Sequence, residues 1–225
     1  MKALQTLMSG ESLTQDQTRE FFQRLIKGEL NDTQVTAALI AMKMRGETPA
    51  ELAGAAEAIL SAAKPFIRPD TTVIDSCGTG GDGSNTMNIS TTAALVAASM
   101  GLAVAKHGNR SVSSRSGSAD VLESLKLRVN LDPSDASSQL ADNGFCFLFA
   151  PHYHPGIKHA MPVRQTLKTR TLFNLIRPLV NPARPDAQLL GVYSDEWVQP
   201  MAETLQRLGV KRAMVVHGSG LDELA

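Results

Sequence analysis

The first 60 or so residues place apolar side chains at the spacing of short amphipathic helices, with polar residues where each helix would begin. Thr14 and Gln17 form the pattern of a capping box ahead of an apolar face. Asp32 is the predicted cap of a second helix, which ends at Gly46. We therefore expect helices, and no strand, in this part of the chain.

A third helix has the strongest local signal of the opening segment. Thr48 is the predicted cap, Pro49 occupies the first helical position, and Glu51 completes a capping box. The segment after it is rich in proline and ends near residue 69. The pattern predicts a small helical unit that stops there.

Beyond this point, short apolar runs alternate with helix-like stretches. Such alternation predicts a mostly parallel sheet with helices on both faces, and therefore an α/β fold. The predicted strands are Thr72–Asp75, Leu102–Lys106, Phe145–Phe149, Gln188–Val192 and Ala213–Val216, and the predicted helices begin near Ser90, Ser118, Pro133 (capped by Asp132) and Asp195.

One long helix-patterned segment, His154–Leu179, interrupts the alternation, and we expect it to leave the sheet and rejoin the helical unit. The predicted domains are a small helical domain of residues 1–66 and 156–180 and a larger α/β domain of residues 67–155 and 181–225. The chain stops just after a predicted strand, so the α/β domain is expected to be incomplete.

Composition and charge narrow the classes of function. The sequence contains 22 lysine and arginine residues in total and 22 aspartate and glutamate residues in total, so its formal net charge is zero. A zero net charge argues against general binding to nucleic acid or to a membrane surface. Apolar stretches are too short for a membrane span, and the N-terminus turns polar too early for a secretory signal. Cys77 and Cys146 form neither a disulfide framework nor a metal motif, so we expect a cytoplasmic protein.

Polar clusters follow several predicted strands, and the carboxyl ends of parallel strands form one rim. The first cluster, residues 78–83, reads GTGGDG and matches the dinucleotide pattern G-x-G-x-x-G. No acidic residue follows until Asp120, although a dinucleotide site needs one about 20 positions on. Ser84 stands where a P-loop has lysine. The stretch therefore fits neither of these two phosphate motifs.

The second cluster, residues 106–118, interleaves basic side chains with hydroxyls and leads into a helix. Its cations are Lys106, His107, Arg110 and Arg115. Cations, hydroxyls and helix-start amides suit a ligand that carries several phosphate charges. The alternative is a solvated glycine-rich turn beside a mildly basic loop.

Opposite charge appears in the third cluster, HGSGLDE, at residues 217–223. Asp222 and Glu223 are expected on the same rim as the basic cluster, and paired carboxylates that face phosphates favour a Mg²⁺ ion between them. The alternative is that Asp222 caps the next helix.

Four stretches in this order resemble the anthranilate phosphoribosyltransferase family: GTGGDGSNTMNIST, KHGNRSVSSRSGSAD, HAMPVRQTLKTRTLFN and HGSGLDE. The resemblance covers essentially the whole chain. It implies transfer of a phosphoribosyl group from 5-phosphoribosyl 1-diphosphate (PRPP) to anthranilate with Mg²⁺. It also implies a helical domain hinged to an α/β domain, as in class II nucleoside phosphorylases, and a homodimer formed through the helical part.

The resemblance also assigns residues by position. It implies that Asn109 and Arg164 hold anthranilate, with Gly78 nearby, and that Ser90, Asp222 and Glu223 bind Mg²⁺. Lys106 and His107 are the expected electrostatic contributors, and no catalytic nucleophile is implied. The implied PRPP contacts are Gly78, Gly81, Asp82, Thr86, Asn88, Ile89, Ser90, Thr91, Lys106, His107, Gly108, Asn109, Arg110, Ser111, Val112, Ser113, Ser114 and Ser118.

Several of these side chains have a second interpretation. Without the family resemblance, Arg164 would be interpreted as an exposed arginine on a helix. His107 is either a proton carrier or a hydrogen-bonding group for phosphate or substrate. His152 and His154 form an H-x-H pair without a convincing third zinc ligand, which favours a tunnel or structural role. Cys77 has no cationic neighbour in sequence and is expected to be packed inside.

The chain departs from the family pattern at FNLIRPLVNP, where Arg177 stands in place of a usual glycine. A long cation there would narrow the acceptor tunnel, alter the hinge or bind the aromatic acid. Three rival functions stay open: a related nucleoside phosphorylase, a transferase with another aromatic acceptor, and a nucleic-acid-binding relative.

Overall fold

In the computed structural model, residues 2–80, 88–110 and 116–224 are described. Residues 2–61 form helices, as predicted, although there are four of them and not three. They are α1 (Lys2–Met8), α2 (Gln15–Ile26), α3 (Asp32–Arg45) and α4 (Pro49–Ser61).

The helix starts confirm two of the three predicted caps. At α2, Gln17 N donates to Thr14 Oγ1 at 3.2 Å and Thr14 N donates back to Gln17 Oε1 at 2.9 Å. The box of Thr48, Pro49 and Glu51 likewise opens α4. The cap predicted at Asp32 is wrong, because the side chain of the preceding residue, Asn31, accepts from Gln34 N at 2.9 Å. Asn and Gln three residues apart form the same reciprocal pair of bonds as Thr and Gln.

In the described part of the chain, five parallel strands form one sheet in the order β3-β2-β1-β4-β5, which confirms the predicted sheet. They are β1 (Val73–Gly78), β2 (Ala103–Gly108), β3 (Phe145–Phe149), β4 (Ala187–Gly191) and β5 (Arg212–Val216). Both β1 and β2 run further than the sequence predicted, because Gly78 pairs with Gly191 and Gly108 pairs with Phe149.

Helices cover both faces of the sheet, and successive residues of a strand are buried on opposite faces. Val104 packs with α5 (Ile89–Ser99) and α6 (Ser118–Ser124), whereas its neighbour Ala105 packs with α7 (Pro133–Asn143). Burial on both faces explains why β3, with the sequence FCFLF, reads as a continuous apolar run.

The helix-patterned segment after β3 consists of short pieces. These are α8 (Ala150–Tyr153), a 3₁₀ helix (Pro155–Ala160), α9 (Met161–Leu167), α10 (Leu172–Ile176) and a second 3₁₀ helix (Arg177–Leu179). Lys168 ends α9 in the left-handed conformation, with φ 45°. Val163, Leu172 and Ile176 join Phe22 and Leu39 of the opening helices in one apolar core. The segment therefore packs against the opening helices.

The last helix before β5 is α11 (Val198–Arg207), which packs against α4 and buries Met201 and Leu205. Asp195, where the sequence predicted this helix, begins a single 3₁₀ turn ahead of it. Within the described part of the chain, no helix has both the length and the apolar character required to cross a bilayer.

Candidate active site

A crevice forms beside β1, where the order of the strands in the sheet reverses. From β1, one neighbour is β2, which follows it in sequence, and the other is β4, which follows much later. Parallel sheets bind ligands at such a switch point, outside the carboxyl ends of the strands. Gly78 and Gly191 are the paired last residues of β1 and β4 and mark the bottom of this crevice.

The absence of side chains at these two glycines allows the acidic segment to lie directly on the sheet edge. A Cβ on Gly191 would overlap the carbonyl oxygen of Asp222. A Cβ on Gly78 would overlap the Asp222 carboxylate, with the Cγ atom 3.1 Å away. Gly80 N donates to Asp222 Oδ2 at 2.9 Å. The first and third polar clusters are therefore in direct contact.

A tight turn brings the acidic pair to this position. Gly218 N donates to Leu221 O at 3.1 Å and Leu221 N donates back to Gly218 O at 2.8 Å. Ser219 and Gly220 both have positive φ, 49° and 78°. Glycine adopts this conformation at little cost, which suits the sequence HGSGLDE to the reversal. The turn directs Asp222 back over the ends of β1 and β4.

Lys106 supplies buried positive charge on the opposite side of β1. It is 1% exposed, and its Nζ donates to Ser76 O at 2.5 Å. Burial lowers the pKa of the Lys106 ammonium, while the carboxylates of Asp75 and Glu223 oppose that change. Lys106 lines a cavity together with Gly78, which Asp222 contacts, so the basic and acidic clusters face the same crevice.

Two buried histidines stand next to Lys106. The His107 and His154 rings meet edge to face with centroids 5.2 Å apart. Burial, together with the neighbouring His154, holds the pKa of His107 well below its ordinary value, and burial lowers the pKa of His154 to about 4. Both rings are therefore neutral near pH 7, and a neutral imidazole can accept a proton or a hydrogen bond.

His152 and His154 do not act as a pair. His154 shares a hydrogen bond of 2.9 Å with Val180 O through Nε2, while His152 lies near Lys64 and Asp132 at the surface. Among the residues that the structure describes, no group of three or more histidine, cysteine, aspartate or glutamate side chains could hold a metal. The two histidines of the H-x-H pattern therefore have separate surroundings.

The basic side of the crevice encloses a small cavity. Ser90 reaches it from the first turn of α5, and Ser118 reaches it from the start of α6. These hydroxyls come with helix N-termini, which favour anions. The lining residues are Cys77, Gly78, Ser90, Lys106, His107, Gly108, Ser118, Arg177 and Pro178. Burial raises the pKa of the Cys77 thiol, so this side chain stays protonated and is a poor nucleophile.

Arg164 lies nearby on α9. Its guanidinium stacks over the Phe173 ring with the Cζ atom 5.0 Å from the centroid. Burial, followed by the charge of Arg177, lowers the pKa of Arg164, although a guanidinium stays protonated near neutral pH. Among the described residues Arg164 forms no ion pair with a carboxylate, which leaves it suited to an anionic ligand.

Some predicted site residues lie elsewhere. Arg110 makes two bonds of 2.5 Å to the Glu123 carboxylate, and this pairing with α6 takes its guanidinium away from the cavity. Thr91 is buried, and Asn88, Ile89 and Asn109 are not among the cavity-lining residues. Gly81, Asp82, Thr86, Ser111, Val112, Ser113 and Ser114 lie outside the described residues.

Two buried amides, which were not predicted from the sequence, support the site. Asn181 Nδ2 donates to Asp75 Oδ2 and to Ala105 O, both at 2.8 Å, and so orients the carboxylate beside Lys106. Gln188 Nε2 donates to Pro178 O at 2.6 Å and fixes one wall of the cavity. Asn181 is the second asparagine of FNLIRPLVNP, but only the fold shows that it binds the Asp75 carboxylate.

The helical bundle, the parallel sheet and the polar crevice at its switch point define a two-domain glycosyl transferase. Two family models match accordingly: the helical bundle domain of a glycosyl transferase family over residues 1–63, and its a/b domain over residues 70–225. The fold prediction is thereby confirmed. The chain belongs to the anthranilate phosphoribosyltransferase family, as the resemblance implied.

Individual relatives support this membership. The chain is 96% identical over 225 residues to anthranilate phosphoribosyltransferase of Idiomarina loihiensis, covering 100% of this chain and 67% of that protein. The structure of the Thermus thermophilus enzyme has a TM-score of 0.95 at 48% identity, over 100% of this chain and 68% of that one.

The anthranilate phosphoribosyltransferase of Saccharomyces cerevisiae in complex with PRPP and Mg has a TM-score of 0.90 at 30% identity, over 100% of this chain and 67% of that one. The chain spans about two thirds of the length of these relatives.

Proposed function

We propose that this chain belongs to an enzyme that transfers the phosphoribosyl group of PRPP to anthranilate, giving N-(5-phosphoribosyl)anthranilate and diphosphate in tryptophan biosynthesis. The observation that carries the proposal is the crevice at Gly78, where Lys106 lines the cavity on one side and the Asp222 carboxylate lies against the glycine on the other. A diphosphate with its metal ion needs cations on one side and carboxylates on the other.

The donor occupies the basic side in this proposal. The small cavity offers hydroxyls from Ser90 and Ser118 and positive charge from Lys106. Gly78, Gly81, Asp82, Thr86, Asn88, Ile89, Thr91, His107, Gly108, Asn109, Arg110, Ser111, Val112, Ser113 and Ser114 remain proposed donor contacts on the family resemblance. For Arg110 this requires that the bond to Glu123 be exchanged for one to phosphate.

The acceptor binds beside Arg164, with Asn109 and Gly78 nearby. A guanidinium offers a planar pair of donors that matches a carboxylate. The stacking of Arg164 on Phe173 presents the cation on an apolar surface, which suits an aromatic acid. Anthranilate, a benzene ring with adjacent carboxylate and amine groups, has this combination.

The residues present fit a magnesium ion. Ser90, Asp222 and Glu223 would contribute hydroxyl and carboxylate oxygens, and Mg²⁺ prefers one or two carboxylates completed by substrate phosphates and water. When bound, Mg²⁺ would neutralise negative charge on the departing diphosphate.

In the reaction, the acceptor nitrogen forms a bond to the anomeric carbon of the ribose, and the bond from that carbon to diphosphate breaks, its electron pair leaving with diphosphate. The amine loses one proton. Lys106 stabilises the negative charge that develops on the leaving group. His107, neutral and with Nε2 lacking a hydrogen bond among the described residues, is placed to accept a hydrogen bond or proton from the acceptor side.

Three further features belong to the proposal. Residues 1–66 and 156–180 form the helical domain, and 67–155 and 181–225 form the phosphoribosyl-binding domain. The enzyme works in the cytoplasm, and it is a homodimer through the helical domain. Sedimentation of the full-length protein tests the last point, and a monomer at micromolar concentration would exclude it.

The activity is tested by following the loss of anthranilate fluorescence with PRPP and Mg²⁺ in the full-length protein. We expect the anthranilate fluorescence to fall only when both PRPP and Mg²⁺ are present. No loss by a folded protein would overturn the assignment, and phosphorolysis of a nucleoside would favour the nucleoside phosphorylase rival. Salt-dependent retention of DNA would favour the nucleic-acid-binding rival.

A further inference from the structure

Arg177 places a second cation in the crevice without backbone strain. It starts the 3₁₀ helix Arg177–Leu179 with φ −51° and ψ −48°, which any residue with a side chain adopts readily. The position therefore does not require the glycine of the family pattern. What the arginine changes is the crevice, since its side chain is exposed there and lines the cavity.

The guanidinium reaches the donor side of the site. Arg177 Nη2 donates to Gly78 O at 3.3 Å, and it lies 3.3 Å from the point where a Cβ on Gly80 would stand. It shares the cavity with Ser90, Lys106 and Ser118, whereas Arg164 is not among the lining residues. Arg177 is therefore next to the glycine cluster, although its charge also acts on Arg164 of α9.

Arg177 also has more donor capacity to offer a ligand than Lys106. The Lys106 ammonium already bonds to Ser76 O inside the protein. A guanidinium has five N–H donors, and the described residues provide Arg177 with one hydrogen-bond acceptor, Gly78 O. The Asp222 carboxylate lies at the same two glycines, since Gly80 N donates to Asp222 Oδ2 at 2.9 Å and a Cβ on Gly78 would overlap that carboxylate. The negative charge of Asp222 acts on the Arg177 guanidinium.

We propose that Arg177 binds the diphosphate group of the donor. A planar fork of donors matches two phosphate oxygens, and a fixed cation beside Asp222 partly takes the place of the metal ion. This inference rests on the proposed function. It implies that the protein retains measurable affinity for diphosphate in the absence of a divalent metal.

The test is calorimetric titration of the full-length protein with inorganic diphosphate at constant ionic strength, once with a chelator and once with Mg²⁺. We expect Arg177→Gln to weaken binding about tenfold or more in the chelator arm, since a charge-assisted bond to phosphate is worth a factor of that order. The loss should be smaller with Mg²⁺. Arg177→Lys keeps the charge but not the planar pair of donors, so its affinity for diphosphate should lie between those of the unmodified protein and Arg177→Gln.

The matched control is Arg128→Gln, which removes the same charge from an exposed position outside the cavity lining and should bind like the unmodified protein. Equal or tighter binding by Arg177→Gln, or tighter binding by Arg177→Gly, would show that the side chain blocks the cavity and would overturn the inference alone. Absence of diphosphate binding by the unmodified protein in both arms would overturn the proposed function as well.

Discussion

The backbone amide of Gly80 donates a 2.9 Å hydrogen bond to Oδ2 of Asp222, joining two segments 142 residues apart. The bond links the glycine cluster after β1 to the acidic turn after β5. The closest approach of the two segments depends on Gly78 and Gly191, where side chains would occupy the space of Asp222. The proposed metal ligand is therefore held by backbone packing, and this contact can be tested directly.

Gly191→Ala should displace the acidic turn. The added Cβ would meet the carbonyl oxygen of Asp222, and a backbone atom cannot rotate away as a side chain can. We expect a loss of about 1–3 kcal/mol in the free energy of unfolding, the usual cost of overpacking, together with weaker Mg²⁺-dependent binding of diphosphate. Urea denaturation and calorimetry measure the two effects.

Gly209→Ala is the control for Gly191→Ala. Gly209 has φ 76° and nothing within 4 Å of an added Cβ, so its substitution costs only backbone strain, about 1 kcal/mol. Binding should stay unchanged in this control. Normal binding by Gly191→Ala would contradict the packing argument.

Asp222→Asn and Glu223→Gln should each raise the Mg²⁺ concentration needed for half-maximal turnover by about tenfold or more, because a carboxylate ligand becomes a neutral amide. Asparagine keeps an oxygen that can accept from Gly80 N, so the loop contact should survive. Asp195→Asn, an exposed carboxylate in the 3₁₀ turn ahead of α11, is the control. An unchanged magnesium dependence in both site variants would refute the ligand assignment.

Arg164→Ala should raise the KM for anthranilate about 10-fold to 100-fold and the KM for PRPP much less, because the charged bond to the acceptor carboxylate is lost. Steady-state kinetics with each substrate varied in turn measure the split. Arg164→Lys keeps the charge and should recover part of the loss. A similar rise in both KM values would count against an acceptor-binding role.

Asp186→Asn should show a pH-dependent loss of stability at the amino end of the sheet. Asp186 accepts from Lys211 Nζ at 2.7 Å, from Val73 N at 3.1 Å and from Arg68 Nη2 at 2.8 Å. The bond to Lys211 is the main cause that lowers the pKa of Asp186 to about 2.

A carboxyl with a depressed folded-state pKa stabilises the protein above its unfolded pKa, near 4, and the stabilisation is lost as the pH falls toward 2. We expect Asp186→Asn to cost about 1 kcal/mol near pH 7, because solvent screens the pair with the exposed Lys211, and the difference from the unmodified protein should shrink below pH 4. Urea unfolding between pH 7 and pH 2.5 measures it. Asp135→Asn, exposed in the first turn of α7, is the control, and a pH-independent difference for Asp186→Asn would contradict the assignment.

Local patterns were the most predictable part of this protein. The boxes at Thr14 and Thr48 were correct because a capping box is complete within four residues. The cap predicted at Asp32 was wrong because Asn31 and Asp32 are both residue types that cap helices. Only Asn31 lies three residues before Gln34, which completes the capping box. The alternation of short apolar runs with helix-like stretches indicated a parallel sheet covered on both faces.

Side-chain partners could not be predicted in the same way. Arg110 and Lys106 read as similar cations in one basic cluster, yet Arg110 pairs with Glu123 on α6 and Lys106 is buried against Ser76 O beside Asp75. Each outcome depends on which groups the fold brings close. Arg177 was visible as a departure from the family pattern, but its contact with Gly78 was not.

By itself, the sequence determined the helical opening, the parallel α/β architecture, the family and the three polar clusters, because these depend on periodicity and on motifs read along the chain. Only the tertiary structure decided that Gly78, Gly191 and Asp222 meet at one point and that Arg177 lies above them. Contacts between residues far apart in sequence are set by strand order and register, which the pattern of any single segment does not contain.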